Sequence, residues 1–465
     1  MATKFRTADL RIESIAYGGL GVARPEEGPV VFVEGGLPGD TVRAVITKKR
    51  KRHQEARVLD LLEPSPLRIS ARCIHQNVCG GCPLQTLEYA EQLRQKQKMV
   101  EDSWRRVGGF EHVEVEPILA CEELWHYRNK MEFTFSDRQW VEDRDDPRGL
   151  RFGLGQHVRG IYSKVFDLTE CHLQSELTAP LLEAIRRFVD PGPGQLADVW
   201  HVREQHGFWR FVVIREGKHT GERMLNLVTN GPDDGRVRQL ADRLLEQFPG
   251  ALSTIVHTIS ERSGAVASGR AGDVLHGPGV IHEDLDGLRF RLAPQAFFQT
   301  NTRQAERLFA LAREMAGTLE GVRMLDLYCG SGAIAACFSR FVQHAVGIEL
   351  VPEAIENARE NARLNGLDNL EFHCGDVRHA LAEHAQRPFD LVVVDPPRAG
   401  LHADVTRQLL EMSPQRLVYV SCNPVTQARD AALLAEGGYR LRRLRPVDMF
   451  PHTFHVETVA LLSKD

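Results

Sequence analysis

The chain of 465 residues predicts an α/β protein of several domains. Three observations carry that reading. The length is too great for one hydrophobic core. The last third alternates short apolar runs with helix-patterned segments, the signature of a doubly wound, Rossmann-like sheet. The first sixty or so residues instead alternate apolar and polar positions between glycine turns, as small β-barrels do.

Residues 1–66 hold that barrel pattern, closed by the linker Glu63-Pro-Ser-Pro66. The run Lys48-Lys-Arg-Lys-Arg52 falls between two of its strands. Such a run is either a solvated hairpin tip or a grip for phosphates, and composition favours neither. The formal net charge is −5, so any nucleic-acid surface has to be local.

Residues 67–285 read as a central α+β domain. It opens on Cys73-Ile-His-Gln-Asn-Val-Cys79-Gly-Gly-Cys82-Pro83. Glycines between three cysteines let thiolates converge on one point. A fourth ligand would close the site, with Cys171 first and Cys121 as the alternative. Four thiolates suit zinc or an iron–sulfur cluster. The three-plus-one spacing followed by proline favours the cluster. Leu84–Arg106 has the spacing of an amphipathic helix. Aromatic and basic residues interleave in His126–Phe133 and Phe208–Phe211, where half-buried strands explain the pattern better than base-stacking platforms do.

Residues 286–465 form the doubly wound domain. Strands are expected at Gly321–Leu327, Ala345–Glu349, Leu370–His373, Phe389–Val394 and Leu417–Val420. A turn with Gly330 and Gly332 follows the first strand and lacks the third glycine of a dinucleotide fingerprint. Asp326 lies just upstream in that strand. Glu349 ends the second strand, where ribose hydroxyls bind, and Asp376 follows the third, where an adenine amino group would sit. A ribose and an adenine without a pyrophosphate describe S-adenosylmethionine. Asp395-Pro-Pro-Arg398 has arginine where amine methyltransferases place an aromatic residue. Cys422 then stands at the carboxyl end of the last of these strands, where ligands meet such sheets. For a lone cysteine, core packing would be the first reading.

The motifs together resemble the RNA 5-methyluridine methyltransferases, in the branch with a TRAM barrel and a four-iron cluster. The resemblance rests on the barrel, the cysteine group, Tyr127-Arg-Asn-Lys130 and Pro294-Gln-Ala-Phe-Phe-Gln-Thr-Asn301. It rests further on Asp326–Gly332, Asp395–Gly400, Ser421-Cys-Asn-Pro424 and Asp448–Glu457. It implies Cys73, Cys79, Cys82 and Cys171 as ligands of a 4Fe-4S cluster. It implies Gln299, Tyr328, Glu349 and Asp376 as contacts to S-adenosylmethionine; some relatives carry asparagine where this chain has Ala333. It also implies that the helix beside the cluster packs back on the methyltransferase domain.

Uracil C6 is electrophilic, and a thiolate added there makes C5 nucleophilic. Cys422 is the expected nucleophile and Glu457 the expected base for the C5 proton. Asp395 is expected at the uracil edge. Phe297 is expected to stack on the base or pack beside the cofactor, with Gln299 on the substrate side as well. The expected function is uridine-C5 methylation of RNA, 23S rRNA first. The alternatives are the tRNA TΨC loop and a non-catalytic RNA-binding assembly factor. No apolar run reaches membrane-spanning length, and the first residues lack the apolar core of a signal peptide. A cytoplasmic monomer with reduced cysteines is the expectation.

Overall fold

The computed structural model describes residues 6–464 except 144, 193–194, 202–203, 262–263, 265 and 385–386. The N-terminal strands lie within Thr7–Glu63 and form one six-stranded sheet that closes on its own small core. In Val30–Glu34 the alternation buries Val31 and Val33. Asp40 is fully buried beneath the barrel. It accepts from the N–H groups of Leu37 and Ser65 and from Arg68, so the linker is tied to the barrel's underside.

A seven-stranded mixed sheet follows, between Lys130 and His276, with the helices Thr178–Val189 and Arg236–Gln247 in its core. The run Trp209–Glu216 is buried at every position, as a central strand covered on both faces must be. The hairpin Ile281–Leu285 and Leu288–Leu292 leads into the last domain.

The C-terminal sheet has seven strands: β1 Arg323–Leu327, β2 His344–Glu349, β3 Leu370–Cys374, β4 Leu391–Val394, β5 Arg416–Ser421, β6 Arg440–Val447 and β7 Glu457–Ser463. Their order is β3-β2-β1-β4-β5-β7-β6, with β7 antiparallel to both neighbours. This is the expected doubly wound sheet, completed by a reversed β7 that the apolar pattern alone does not orient. The strands start within two residues of the expected positions.

The helix beside the cysteine group spans Tyr89–Arg106, not Leu84–Arg106. Leu84 and Leu87 are buried in turns before it, so their apolar character reflects packing rather than helical period. Met99, Val100 and Trp104 join the core under the C-terminal sheet. The helix is thus central in sequence but packs with the C-terminal domain in space.

Candidate active site

Cys422 directly follows β5. Asn423 then caps the helix Pro424–Glu436, its side chain accepting from the Val425 N–H at 3.1 Å, with proline in the first turn. The thiol is therefore held on a turn between a buried strand and a capped helix. Strand register brings it a partner. Ser421 pairs with Thr458 across β5 and β7, which puts Glu457 beside Cys422. The Thr458 hydroxyl donates to Ser421 O at 3.1 Å and to Gln427 Oε1 at 2.6 Å, and Gln427 donates to Tyr419 O at 2.8 Å. These bonds bolt the strand of the thiol to the strand of the carboxyl.

Asp395 follows β4, next to β5 in the sheet. Its turn is fastened to the cysteine turn: Asn423 donates to Arg398 O at 2.8 Å, and Thr426 donates to the same oxygen at 3.3 Å. The site is electrically crowded. Burial pushes the Cys422 thiol up to about 11; the charges of Glu457 and Asp395 add to that, and Arg398 opposes it. Burial raises the Glu457 carboxyl well above the usual range, again reinforced by Asp395 and opposed by Arg398. Burial alone lifts Asp395 to about 7. Three acidic groups thus have raised affinity for protons, and one guanidinium opposes the rise in two of them, the kind of perturbation that marks chemistry.

A cleft of about 1160 Å³ opens at the carboxyl ends of β1, β2 and β4. Phe297, Tyr328, Gly330, Glu349, Asp376 and Asp395 all line it. Tyr328 has φ +65°, a strained value for a non-glycine residue, and its N–H is held by Ile348 O at 3.0 Å. Gly332 must be glycine: a Cβ there would stand 2.9 Å from the Phe372 ring at φ +79°. Glu349 accepts from the Gly330 and Val351 N–H groups, which fixes its carboxylate at the cleft wall. Asp376 caps the helix Val377–Glu383 and pairs with Arg378, which holds its carboxyl down at about 2. Phe297 is 65% exposed, so its ring is open to a planar ligand.

Two expected cofactor residues stand elsewhere. Asp326 is fully buried behind the cleft, where it accepts from the Ala335 N–H at 3.0 Å and so orients the helix Ala333–Ser339. Gln299 is half-buried, and its carbonyl accepts from Asn129 at 2.8 Å; it is not among the residues lining the cleft. Sequence reasoning missed two contributors. Arg398 reads in the sequence only as a missing aromatic, yet its charge acts directly on the thiol. Ser268–Val274, from the central sheet, forms the far wall of the cleft. No local pattern in the sequence joins these segments to residues 328–395.

Cys73, Cys79, Cys82 and Cys171 line one cavity of about 390 Å³. Cys121 is not among its residues; its thiol receives the Asn301 side chain at 3.6 Å instead. Among the described residues no three cysteine sulfurs lie within 4.8 Å of one another. The N–H···S bond from Gly81 to Cys79 at 3.3 Å and the positive charge of Arg128 near Cys82 and Cys171 suit thiolates that hold a metal centre. Phe297 and Phe298 line this cavity too, so one segment forms a wall of both cavities.

Residues 283–465 match the family model described as tRNA (Uracil-5-)-methyltransferase, and residues 2–59 match the TRAM domain. An uncharacterized RNA methyltransferase of Porphyromonas gingivalis is 39% identical over 98% of this chain and all of its own length. The chain belongs to the RNA uracil-5-methyltransferase family.

Among solved structures, a Pyrococcus abyssi tRNA (uracil-54, C5)-methyltransferase in complex with S-adenosyl-L-homocysteine is 30% identical, with a TM-score of 0.76 over 98% of this chain and 100% of that one. An uncharacterized RNA methyltransferase of Bacteroides thetaiotaomicron is 38% identical over 93% of this chain and 96% of its own. As an S-adenosylmethionine-dependent RNA uracil-5-methyltransferase, the protein requires a cleft for its methyl donor. The cleft at Glu349 and Asp376 fits that donor: it is roomy, lies at the sheet's carboxyl edge, and presents carboxylates without a third loop glycine for a pyrophosphate. Among the described residues no helix is long and apolar enough to cross a membrane.

Proposed function

We propose that Cys422 is the nucleophile and Glu457 the base of uridine-C5 methylation. The observation that supports this is the register of β5 and β7, which sets the thiol and the carboxyl side by side. The Cys422 thiolate forms a bond to uracil C6, and the C5=C6 electron pair moves onto the C4 carbonyl oxygen. Asp395 holds the uracil edge as that charge develops. S-adenosylmethionine supplies the methyl group to C5 as an electrophile, its sulfonium taking back the bonding pair. Glu457 then removes the C5 proton; the C–H electrons rebuild C5=C6 and expel the thiolate. The raised affinity of Glu457 for a proton suits a base that must pull from carbon. Glu349, Asp376 and Tyr328 would hold the donor, Asp326 and Gly330 would shape its turn, and Phe297 with Gln299 would place the base.

The test uses ordinary unmodified RNA. Glu457→Gln is expected to accumulate a covalent protein–RNA adduct on a denaturing gel, because the C5 proton stays in place. Cys422→Ala is expected to form no adduct and no product while still binding RNA. Turnover by Cys422→Ala would sink the covalent reading.

The proposed substrate is a uridine of 23S rRNA, supported by the resemblance to the branch with barrel and cluster. The second reading is tRNA, favoured by the likeness to the Pyrococcus abyssi enzyme along the whole chain. Labelled S-adenosylmethionine offered with each RNA, followed by nucleoside analysis, separates the two. Methyl transfer to either RNA also removes the reading as a non-catalytic assembly factor.

We further propose a 4Fe-4S cluster on Cys73, Cys79, Cys82 and Cys171, and a monomer working in the cytoplasm, where those thiols stay reduced. The cluster would supply rigidity, since four thiolates leave no open iron. In this reading residues 1–66 grip RNA, 67–285 carry the cluster, and 286–465 transfer the methyl group.

A further inference from the structure

Tyr17 precedes the barrel turn Gly18-Gly19, whose glycines have φ of +97° and +83°. The turn docks on the C-terminal domain. A Cβ on Gly19 would lie 2.4 Å from the ring of Phe454, three residues before Glu457. Beside it, the Ile15 N–H donates to Gln95 of the long helix at 2.9 Å. The barrel therefore sits against both the helix and the loop that carries the base. Tyr17 is half-buried and packs on the core under the C-terminal sheet. Its hydroxyl holds its proton more tightly than a free tyrosine, through burial first and then through the Cys422 charge, with Arg398 opposing.

On its outer side Tyr17 lines a groove of about 490 Å³ between the barrel and the helix Tyr89–Arg106. Phe32, Arg24, Arg52, His53 and Arg106 line the same groove. Arg52 ends the basic run Lys48–Arg52. Arg24 and Arg106 each meet one acid, Glu13 and Asp102, and stay 41% and 62% exposed. Aromatic faces between exposed cations are what a single RNA strand requires: rings for bases, guanidinium groups for phosphates.

We propose that this groove takes the single-stranded RNA on one side of the target uridine, and that Tyr17 is the positioning residue at its catalytic end. Its ring holds the neighbouring nucleotide, so that the flipped uracil is presented to Cys422. The barrel is then a wall of the active site as well as an added grip. This deepens the covalent reading and rests on it.

The experiment uses the full-length protein and RNA carrying 5-fluorouridine. Fluorine at C5 cannot be removed as a proton, so the adduct persists and its rate of formation can be read. Tyr17→Ala is expected to slow adduct formation at saturating RNA by about tenfold or more, with RNA affinity nearly unchanged. Tyr17→Phe keeps the ring and is expected to restore the wild-type rate. Arg52→Ala is expected to weaken binding alone and to flatten its salt dependence by about one unit of slope. A Tyr17→Ala adduct rate within about twofold of wild type overturns the proposal. So does a Tyr17→Ala loss of rate matched by lost S-adenosylmethionine binding and a lower Tm, which would make Tyr17 a packing residue. Wild-type protein that forms no adduct would instead overturn the covalent reading itself.

Discussion

Cys422 illustrates how a residue's surroundings set both its role and its limits. Its thiol is held up at about 11 by burial and by Glu457 and Asp395, so most molecules carry a protonated thiol at neutral pH. The reactive form is the thiolate. Glu457 must likewise lose a proton before it can act, and it too is raised. Only the thiol has to ionise before adduct formation, so the rate of that step is expected to climb with pH from 7 to beyond 9, while Glu457 acts later, on the C5 proton. A profile flat over that range would show that thiol ionisation does not limit the step. Arg398 opposes the rise in both groups. Arg398→Ala should therefore move the profile to higher pH and slow adduct formation at pH 7.5 by about tenfold for each unit of thiol shift. Arg398→Lys is expected to recover part of that loss, since it returns the charge without the planar fork.

At the scale of elements, the helix Tyr89–Arg106 is fixed by one buried ion pair. Lys96 and Asp448 are both fully buried; Lys96 donates to Asp448 at 2.5 Å and to Phe450 O at 3.0 Å. The Tyr89 hydroxyl donates to the other Asp448 oxygen at 2.8 Å. Asp448 opens the loop that ends in Glu457, so the pair ties the helix to the segment of the proposed base. Removing one partner leaves a buried charge alone. Lys96→Met is expected to cost about 3–5 kcal/mol, read as a lower denaturant midpoint, and to cut turnover more than RNA binding. Pairing it with Asp448→Leu should return much of that stability, because no lone charge remains. The same loop is gripped at its middle. His452 sits at φ +67°, stacks on Trp125 with ring centroids 3.8 Å apart, and accepts the Leu84 N–H at its carbonyl. Its own N–H donates to Gln92 at 2.9 Å. The cysteine loop, the long helix and the loop before Glu457 are thus one braced unit.

Across the whole molecule, two cavities lined by residues far apart in the chain meet at one segment. The cysteine cavity and the donor cleft share Ala296 and Phe297, while the groove of the barrel, lined by Tyr17, shares no lining residue with either. Loosening the first is expected to disturb the second. Cys82→Ser should abolish the visible absorbance expected of the cluster. It should also weaken S-adenosylmethionine binding by about 1 kcal/mol, roughly fivefold, on titration calorimetry. Unchanged donor affinity in a variant shown to lack the cluster would separate the two cavities functionally.

Much of this was legible in the sequence because local chemistry writes itself locally. The doubly wound sheet is announced by alternating apolar runs, the donor turn by Gly330 and Gly332, and the strand-end positions of Glu349, Asp395 and Cys422 by the runs before them. The spacing of the cysteine group is what raises the proposal of a metal centre there. Other features depend on register and docking, which no local period encodes. The reversal of β7 brings Glu457 to Cys422. Burial takes Asp326 out of the cleft and makes it a support for a helix. The helix Tyr89–Arg106 leaves its neighbours in sequence because Met99, Val100 and Trp104 find their apolar partners under the C-terminal sheet. Tyr17 comes to the C-terminal core only because Gly19 allows the barrel to lie against Phe454. Sequence determined which groups the protein owns and which strand ends they occupy. Tertiary structure decided which of them share a pocket, because side chains hundreds of residues apart meet only through the packing of whole elements.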